Sequence, residues 1–301
     1  MNSSQFKKNE FKKFCSIIGF KTDIVAEVIS NIDKYYYEKI EQKIDKKTGK
    51  VKKYKDGTIK VRTIHPSVKT LKSIQKSIKK NILEQIELPS EIHGGVKKKS
   101  NITNAKPHKG NKYLFTTDLQ NFYPNINHKT VYNTFLSLGF SNHFSHSLTK
   151  LTTWKYALPQ GTPTSTHISN LVFLKTDYEL IQLCNCYNIT YTRYVDDLTF
   201  SSPKDFKEIL NVILEIIKKN GFKLSYRKTF YKKNQTVTGI DIFLNKIDAP
   251  KHIKEKAKLE IINEMGHKPY SIYLNNIQKE NNKAAANKVY KSLGNNRLNQ
   301  S

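Results

Sequence analysis

The chain has 301 residues, of which 52 are Lys or Arg and 25 are Asp or Glu, so its formal net charge is +27 at pH 7. This length allows a large core with two or three subdomains, and the excess of positive charge favours a polyanionic partner, with nucleic acid first. The three cysteines, Cys15, Cys184 and Cys186, provide neither a disulfide framework nor a zinc-binding spacing, which fits a reducing cytoplasm. The N-terminal residues are polar and no apolar run reaches membrane-spanning length, so we expect neither a signal peptide nor a membrane partner.

The first part of the chain predicts helices and a basic hairpin. Apolar residues at helical spacing predict a helix within residues 24–45 and another that opens at Pro66. Between them, an Asp-Gly dipeptide at 56–57 is a strong turn signal, so the lysine-rich arms 50–54 and 58–64 predict a β-hairpin. A basic hairpin can grip a triphosphate or a template, or it can be simply solvated, and both interpretations stay open.

Residues 93–112 differ in composition from what precedes them. They are rich in Gly, Asn, Pro and Lys, which predicts a loop that contacts phosphate. The string Asn104-Ala105-Lys106-Pro107-His108 lies inside this loop. On physical grounds alone, His108 there is an ordinary solvated histidine.

An aromatic and β-branched strand follows at 113–118 and ends in Asp118. A carboxylate at the end of a buried strand is costly unless it binds something. Two-metal phosphoryl transfer needs acids that bridge two cations about 4 Å apart, and Asp118 is a candidate for one of them. Tyr123 comes shortly after, just before a proline. Its ring either closes the sugar side of a nucleotide pocket or packs in the core.

Residues 126–153 predict two short helices that are broken near Gly139. The string Leu158-Pro159-Gln160-Gly161 then predicts a turn, and Thr or Ser residues can cap the helix that follows it. A loop at the N-terminus of a helix can present backbone N–H groups to phosphate or to bases.

The most informative stretch is Tyr194-Val195-Asp196-Asp197, because it lies where two strand-like runs must turn. A tight hairpin would hold the two carboxylates side by side at its tip. Adjacent carboxylates repel each other, so a fold keeps such a pair mainly where a cation neutralises it. Oxygen ligands of this kind suit Mg²⁺. The alternative is a solvated Asp-Asp turn.

The rest of the chain predicts further alternation of helix and strand. A helix over 206–217 is followed by a strand over 222–226, with Lys228 just beyond its end. A strand pair is predicted over 236–244, and after Pro250 the chain is predicted to be helical and basic.

The order strand, helix, hairpin, helix, strand is the split βαββαβ pattern, in which helices back an antiparallel sheet. We therefore predict an α+β fold. Several strings resemble successive palm motifs of reverse transcriptases, in the right order and over roughly residues 50–245. These strings are Asp118-Leu119-Gln120-Asn121-Phe122-Tyr123, Leu158-Pro159-Gln160-Gly161, Tyr194-Val195-Asp196-Asp197 and Arg227-Lys228-Thr229.

This resemblance implies a right-hand polymerase fold. The implied domains are N-terminal helices and fingers over 1–110, a ferredoxin-like palm over 111–245 with a finger insertion at about 126–157, and a small helical thumb over 246–301. Asn121 departs from the pattern, since an acid is common at that place in relatives.

Two further strings resemble one branch of this family, the bacterial retron reverse transcriptases. Residues Asn104 to His108 resemble their Asn-Ala-x-x-His element, and Val237-Thr238-Gly239 resembles their Val-Thr-Gly element. These strings distinguish retron enzymes from group II intron and diversity-generating reverse transcriptases.

The resemblance also implies the roles of the site residues in RNA-directed DNA synthesis with two Mg²⁺ ions. Asp118, Asp196 and Asp197 are implied to be catalytic and to bind metal, with Leu119 as a further metal ligand. Nucleotide binding is implied for Arg62, Tyr123, Gln160, Gly161 and Lys228, where Tyr123 excludes ribose and Lys228 contacts the triphosphate or donates a proton. RNA binding is implied for Asn104, His108, Val237, Thr238, Gly239, Lys251, Lys254 and Lys258.

The implied template is the enzyme's own structured non-coding RNA. DNA would start from the 2′-hydroxyl of an internal guanosine and leave a branched RNA–DNA product, msDNA, often in antiphage defence with a separate effector protein. We expect no RNase H-like domain, because little chain follows the last palm motif, so RNA removal would fall to host RNase H. Two alternatives stay open: another bacterial reverse transcriptase, group II intron-like or defence-associated, and a catalytically silent RNA-binding palm protein.

Overall fold

The computed structural model describes residues 3–45, 48–233 and 236–282. The chain divides into two compact units, the first made of residues 1–89 and 120–178 and the second of residues 90–119 and 179–301. The predicted boundaries of fingers, palm and thumb follow a different division and stay predictions. Part of the predicted thumb, residues 283–301, lies outside the described residues.

The α-helices are numbered α1 to α10. In chain order they are α1 (Ser3–Ile18), α2 (Thr22–Ser30), α3 (Lys69–Asn81), α4 (Asn101–Ala105), α5 (Phe122–Asn125), α6 (His128–Ser137), α7 (Asn142–Thr152), α8 (Ser165–Cys186), α9 (Leu210–Lys219) and α10 (Lys251–Ile262). Residues 269–282 are also helical. The strands are β1 (Lys39–Gln42), β2 (Val61–Ile64), β3 (Tyr113–Asp118), β4 (Thr190–Tyr194), β5 (Asp197–Ser202), β6 (Phe230–Lys233), β7 (Thr236–Val237), β8 (Ile240–Ile242) and β9 (Ile247–Asp248).

The first unit is mainly helical. The apolar stripe of α3 buries Leu71, Ile74 and Ile78, which confirms the predicted helix, although it begins at Lys69. The pair α6 and α7 confirms the two short helices predicted on either side of Gly139.

The first unit also holds the small sheet β1–β2, which corrects one prediction. The helix predicted within residues 24–45 ends at Ser30, and residues 39–42 form β1, which pairs antiparallel with β2. The predicted hairpin is present, since Lys53 bridges Ile59 across its turn. Its arm 58–64 pairs mainly with β1. The strand was missed because three of the four β1 side chains are exposed and show no alternation.

The second unit contains the predicted antiparallel sheet, with four strands in the order β4-β5-β3-β6. If these four strands are numbered 1 to 4 along the chain, their order in the sheet is 2-3-1-4, which is the order of a ferredoxin-like sheet. Helix α9 lies between β5 and β6 in sequence and buries Ile213, Ile216 and Ile217. The predicted α+β pattern of strand, helix, hairpin, helix, strand is therefore confirmed.

Several local predictions differ from the structure in this unit. The predicted loop 93–112 contains the short helix α4, which Ser100 caps. The strand predicted at 222–226 is reduced to a single bridge between Leu224 and Leu119. The helix predicted over 206–217 begins later than predicted, because β5 ends at Ser202 and α9 starts at Leu210.

A second sheet, β7-β8-β9, lies in the same unit and confirms the strand pair predicted at 236–244. Its apolar side chains form one buried cluster with Ile102 and Ala105 of α4. None of the described helices is both long and apolar enough to cross a membrane.

Candidate active site

The structure brings the three predicted catalytic aspartates together in the second unit. Asp118, the last residue of β3, lies opposite Asp197, the first residue of β5. Asp196 lies in the turn between β4 and β5, after Val195, whose φ is 61°. The backbone N–H of Leu119 donates to the carbonyl oxygen of Asp196 at 3.0 Å, so Leu119 belongs to the same cluster.

Repulsion and lost hydration dominate the electrostatics of this cluster. Burial and then the negative charge of Asp118 raise the pKa of Asp196. The pKa of Asp197 rises to about 7, because the surrounding protein removes part of its hydration and because Asp196 and Asp118 lie close by. Asp197 still reaches solvent. A cation among these carboxyl groups would stabilise their charged forms.

Lys228 supplies the nearest positive charge. Its Nζ atom lies 2.6 Å from Oδ2 of Asp118. Burial opposes the charged form of Lys228, but the bond to Asp118 and the other aspartates outweigh it and raise the pKa of the lysine. Among the described residues, no three acidic, histidine or cysteine side chains already surround one cation position. The oxygen donors nevertheless fit Mg²⁺, and coordination through Oδ2 requires Lys228 to move away from it.

Two residues outside the sequence-based assignments hold the aspartate turn. Arg193 is fully buried, and its guanidinium donates to the carbonyl oxygen of Val195 at 2.9 Å. Gly94 is so close to the turn that a Cβ atom there would lie 2.4 Å from the Val195 nitrogen. The segment before Gly94 is tied to β4, because the N–H of Arg193 donates to Glu91 and the N–H of His93 donates to Arg193, each at 2.8 Å. A glycine pair and a charge inside a buried strand were the signals in the sequence.

A separate cleft of about 270 Å³ lies in the first unit. Four of the five residues predicted to bind nucleotide line it, namely Arg62, Tyr123, Gln160 and Gly161. The fifth, Lys228, lies in the second unit beside the aspartates. Nucleotide binding in this cleft stays a prediction.

Comparison with the neighbouring residue Phe122 distinguishes between the two interpretations of Tyr123. Phe122 is buried and contacts Phe173 edge to face, with ring centroids 6.1 Å apart. Tyr123 instead lines the cleft, with its hydroxyl 3.1 Å from Oγ1 of Thr166. Asn121, the residue before the short helix α5, is in the left-handed conformation, with φ of 49°, which asparagine tolerates better than most residues. Core packing therefore belongs to Phe122, and the Tyr123 ring faces the cleft.

Glu41 is a cleft residue that the sequence did not reveal, because β1 was predicted to be helical. Its Oε2 atom accepts from Nε and Nη2 of Arg62 at 2.9 and 2.6 Å, and Lys39 pairs with its other oxygen at 2.8 Å. Arg62 would have to exchange Glu41 for a phosphate in order to grip a triphosphate.

The two strings that resemble retron elements come together in the second unit. Nδ2 of Asn104 donates to Oγ1 of Thr238 at 3.2 Å, and Nδ2 of Asn101 donates to the Thr238 carbonyl oxygen at 3.2 Å. Thr238 and Gly239 form a turn with φ of 45° and 82°, and Val237 belongs to the apolar cluster beneath it.

The prediction that Asn104, His108 and Val237 bind RNA needs correction. Their side chains are completely enclosed by protein, so in this structure they cannot touch RNA. They support the turn at Thr238 and Gly239 and the sheet behind the aspartates. RNA contact by Thr238 and Gly239 themselves stays a prediction.

His108 shows how this support works. Its ring nitrogens lie 2.6 Å from Oγ of Ser201 and 2.8 Å from Oγ1 of Thr192, on neighbouring strands of the main sheet. Burial lowers the pKa of His108 to about 3, so the ring stays neutral near pH 7, with one nitrogen donating and the other accepting.

We expect His108→Ala to lower the free energy of unfolding by about 2–4 kcal/mol, because it removes two buried hydrogen bonds and leaves a cavity. Urea denaturation measures this loss, and exposed His267→Ala is the matched control. Wild-type stability together with a selective loss of RNA recognition would instead restore a direct role for His108.

The three lysines of the predicted thumb lie on helix α10, which confirms that this segment is helical. Lys254 pairs with Asp248 at 2.8 Å, Lys251 is highly exposed and lies 3.9 Å from Glu255, and Lys258 is exposed. Their contact with RNA stays a prediction.

A family model described as reverse transcriptase (RNA-dependent DNA polymerase) matches residues 44–242. Retron Ec86 reverse transcriptase of Escherichia coli is 33% identical over 193 residues, which are 62% of this chain and 60% of that protein. Retron Se72 reverse transcriptase of Salmonella heidelberg is 34% identical over 180 residues, which are 59% of this chain and 47% of that protein. The chain thus spans about half to three fifths of the length of these relatives. A solved telomerase from Candida albicans, bound to a telomeric RNA fragment, aligns with a TM-score of 0.48 at 10% identity, over 80% of this chain and 55% of that one.

The predicted resemblance to retron reverse transcriptases is confirmed by these relatives. The family match extends from the basic hairpin to the end of β8 and includes every string that carried the resemblance. The chain belongs to the reverse transcriptase (RNA-dependent DNA polymerase) family.

Proposed function

We propose that the protein is an RNA-directed DNA polymerase that adds dNTPs to a primer hydroxyl. The observation that carries this proposal is the carboxyl cluster at the hairpin tip, where Asp118, Asp196 and Asp197 meet and where the pKa of Asp197 rises to about 7. The membership of the reverse transcriptase family supports the same reaction.

In this reaction a primer hydroxyl attacks the α-phosphate of the dNTP, a new phosphodiester bond forms, and pyrophosphate leaves. When bound, two Mg²⁺ ions would activate the hydroxyl and stabilise the leaving pyrophosphate. Asp118, Asp196 and Asp197 would hold them, with the carbonyl oxygen of Leu119 as a further ligand. Lys228, once released from Asp118, would meet the triphosphate or donate a proton to the leaving group.

The cleft of the first unit would bind the incoming nucleotide. Gln160 and Gly161 would contact the base and template, and Arg62 would turn from Glu41 to the triphosphate. Gly161 has φ of 103°, a conformation that glycine adopts readily and other residues do not. Its backbone would therefore allow the base or the template to approach closely.

The test is extension of a DNA primer annealed to an RNA template by the purified chain, with Mg²⁺ and dNTPs. We expect template-dependent products that chelation abolishes. RNA binding without any extension would support the alternative of a catalytically silent palm protein.

Tyr123→Val tests the sugar pocket. Because the ring lines the cleft, its loss should admit the ribose 2′-hydroxyl and raise the ratio of rNTP to dNTP incorporation efficiency about tenfold or more. Tyr123→Phe keeps the ring and should keep the ratio. If the ratio is unchanged in a folded Tyr123→Val variant, the ring does not select the sugar.

We further propose that the template is the protein's own structured non-coding RNA, and that DNA starts from the 2′-hydroxyl of an internal guanosine to give msDNA. The similarity to retron reverse transcriptases supports this, as do the paired strings around Asn104 and Thr238. Host RNase H would remove the template, and a separate effector protein would connect the product to antiphage defence.

RNA transcribed from the genomic segment next to the gene provides the test of this template. We expect DNA joined covalently to that RNA, which alkali cuts back to DNA carrying a short ribonucleotide remnant. DNA that is not joined to the RNA, or that is joined only to a 3′ end of the RNA, would point to another bacterial reverse transcriptase.

A further inference from the structure

A strained two-residue turn displays an aromatic ring on the first unit. Trp154 and Ala157 face each other across this turn, with reciprocal backbone hydrogen bonds of 2.9 and 3.0 Å. The two central residues, Lys155 and Tyr156, have φ of 45° and 62°. Such a turn favours Asn-Gly, because both central positions need positive φ. Here a lysine and a tyrosine occupy them.

Positive φ at two residues that are not glycine carries a conformational cost, and such strain persists mainly where it serves a function. The side chain of Tyr156 is 85% exposed, so the turn gains no buried apolar surface from the ring in return. Packing of the Tyr156 ring therefore does not offset the cost, and the ring is displayed to solvent.

Several contacts hold the base of the turn. Trp154 stacks on Tyr36 with ring centroids 5.2 Å apart, and its Nε1 atom donates to Oδ1 of Asp33 at 2.6 Å. Lys155 Nζ lies over the indole ring, 4.4 Å from its centroid. The carbonyl oxygen of Tyr156 accepts from the backbone N–H of His128 at 2.9 Å. These contacts hold the backbone that carries the ring of Tyr156.

Two lysines lie near the turn that carries the exposed ring. Lys155 is its neighbour in the turn, and Lys150 lies close enough to His128 to contribute to lowering the pKa of that histidine, after burial. At the base of the turn, Oδ1 of Asp33 accepts from Nε1 of Trp154, and Glu38 lies 3.7 Å from His65. An exposed aromatic ring beside cations is the combination on which single-stranded nucleic acid stacks its bases and places its phosphates.

We propose that the turn Trp154–Ala157 is a binding platform for single-stranded nucleic acid, in which a base stacks on Tyr156 and a phosphate draws Lys155 away from Trp154. The inference rests on the proposed function only for the class of ligand. It assigns a contact outside the aspartate cluster and outside the nucleotide cleft.

The chain offers a direct probe of this platform, since Trp154 is its single tryptophan. Oligouridylate is titrated into the full chain with chelator and without dNTPs, and tryptophan emission is followed. We expect a saturable change in tryptophan emission, because Lys155 leaves the indole ring. The affinity should fall as salt is added. Tyr156→Ala should weaken binding about tenfold, whereas Tyr156→Phe should bind like the wild type.

The decisive variant replaces Lys155 by Asn and Tyr156 by Gly together. These residues suit the turn better, so the melting temperature should be equal to or above that of the wild type, while binding weakens at least as much as in Tyr156→Ala. Because the Trp154 signal is altered in this variant, its affinity is measured with a labelled oligouridylate. Tyr187→Ala, at a tyrosine that is 53% exposed in the second unit, should leave binding unchanged.

Wild-type affinity in the Asn-Gly variant would overturn the platform, and so would equal losses in Tyr156→Ala and Tyr187→Ala. The assay contains no dNTPs. Failure of primer extension with a Tyr156-dependent binding signal would therefore reject the polymerase proposal alone, and normal extension without that signal would reject the platform alone.

Discussion

Asp196→Asn is expected to reduce primer extension about 10³-fold, which corresponds to about 4 kcal/mol in the activation free energy. The amide keeps the size of the side chain but removes one negative charge from the cluster formed with Asp118 and Asp197. The fold should not suffer, because burial and Asp118 already raise the pKa of Asp196 and so disfavour its charged form. We expect the melting temperature without divalent ions to be equal to or higher than that of the wild type.

A second measurement separates loss of metal binding from loss of the turn. If Asp196 helps to hold the cations, Mg²⁺ or Mn²⁺ should raise the melting temperature of the wild type and raise that of Asp196→Asn much less. Asp205→Asn is a matched control, since Asp205 is an exposed acid of the same unit whose oxygen accepts from Tyr231. Near-normal extension by Asp196→Asn would remove Asp196 from the catalytic assignment.

The sequence predicted the aspartate cluster because its strands carry strong local signals. The run before Asp118 and the runs around Asp196 are β-branched and aromatic, and each occupies a buried strand of the main sheet. The βαββαβ order then leaves few ways to place them, so two aspartates that are distant in sequence become neighbours.

The nucleotide cleft was predictable only in part. Arg62, Tyr123, Gln160 and Gly161 came from resemblance to a family, and the structure places all four around one cleft. Glu41 was missed because the exposed strand that carries it has no hydrophobic period.

The RNA-binding assignments show a different limit. Composition predicted that residues 93–112 form a loop that contacts phosphate, yet a capped helix buries Asn104, and the buried His108 follows it. Burial of a short polar segment depends on partners far away in sequence, such as Ser201 and Thr238. A local pattern does not contain that information.

Gly94→Ala is expected to reduce primer extension about 10²-fold or more, although Gly94 carries no chemical group. A Cβ atom there would lie 2.4 Å from the Val195 nitrogen, 2.6 Å from its Cγ2 atom and 2.9 Å from the Tyr194 carbonyl carbon. Backbone hydrogen bonds between residues 91–93 and Arg193 hold the glycine segment in place, so the turn must yield. A displacement of about 1 Å at a catalytic group costs about this factor in rate. We measure kcat, the KM for dNTP and the melting temperature.

The expected loss lies in kcat rather than in KM, because the turn carries Asp196 while the nucleotide cleft is built from other residues. Gly266→Ala is the matched control, since its φ is not positive and a Cβ there meets nothing within 4 Å. Adding Val195→Gly to Gly94→Ala should recover part of the rate, because it removes the Cγ2 contact and relieves the positive φ of Val195. Recovery of rate in the double variant would show that the glycine acts by positioning the aspartate turn. A fully active Gly94→Ala, or a double variant no faster than the single one, would contradict that role.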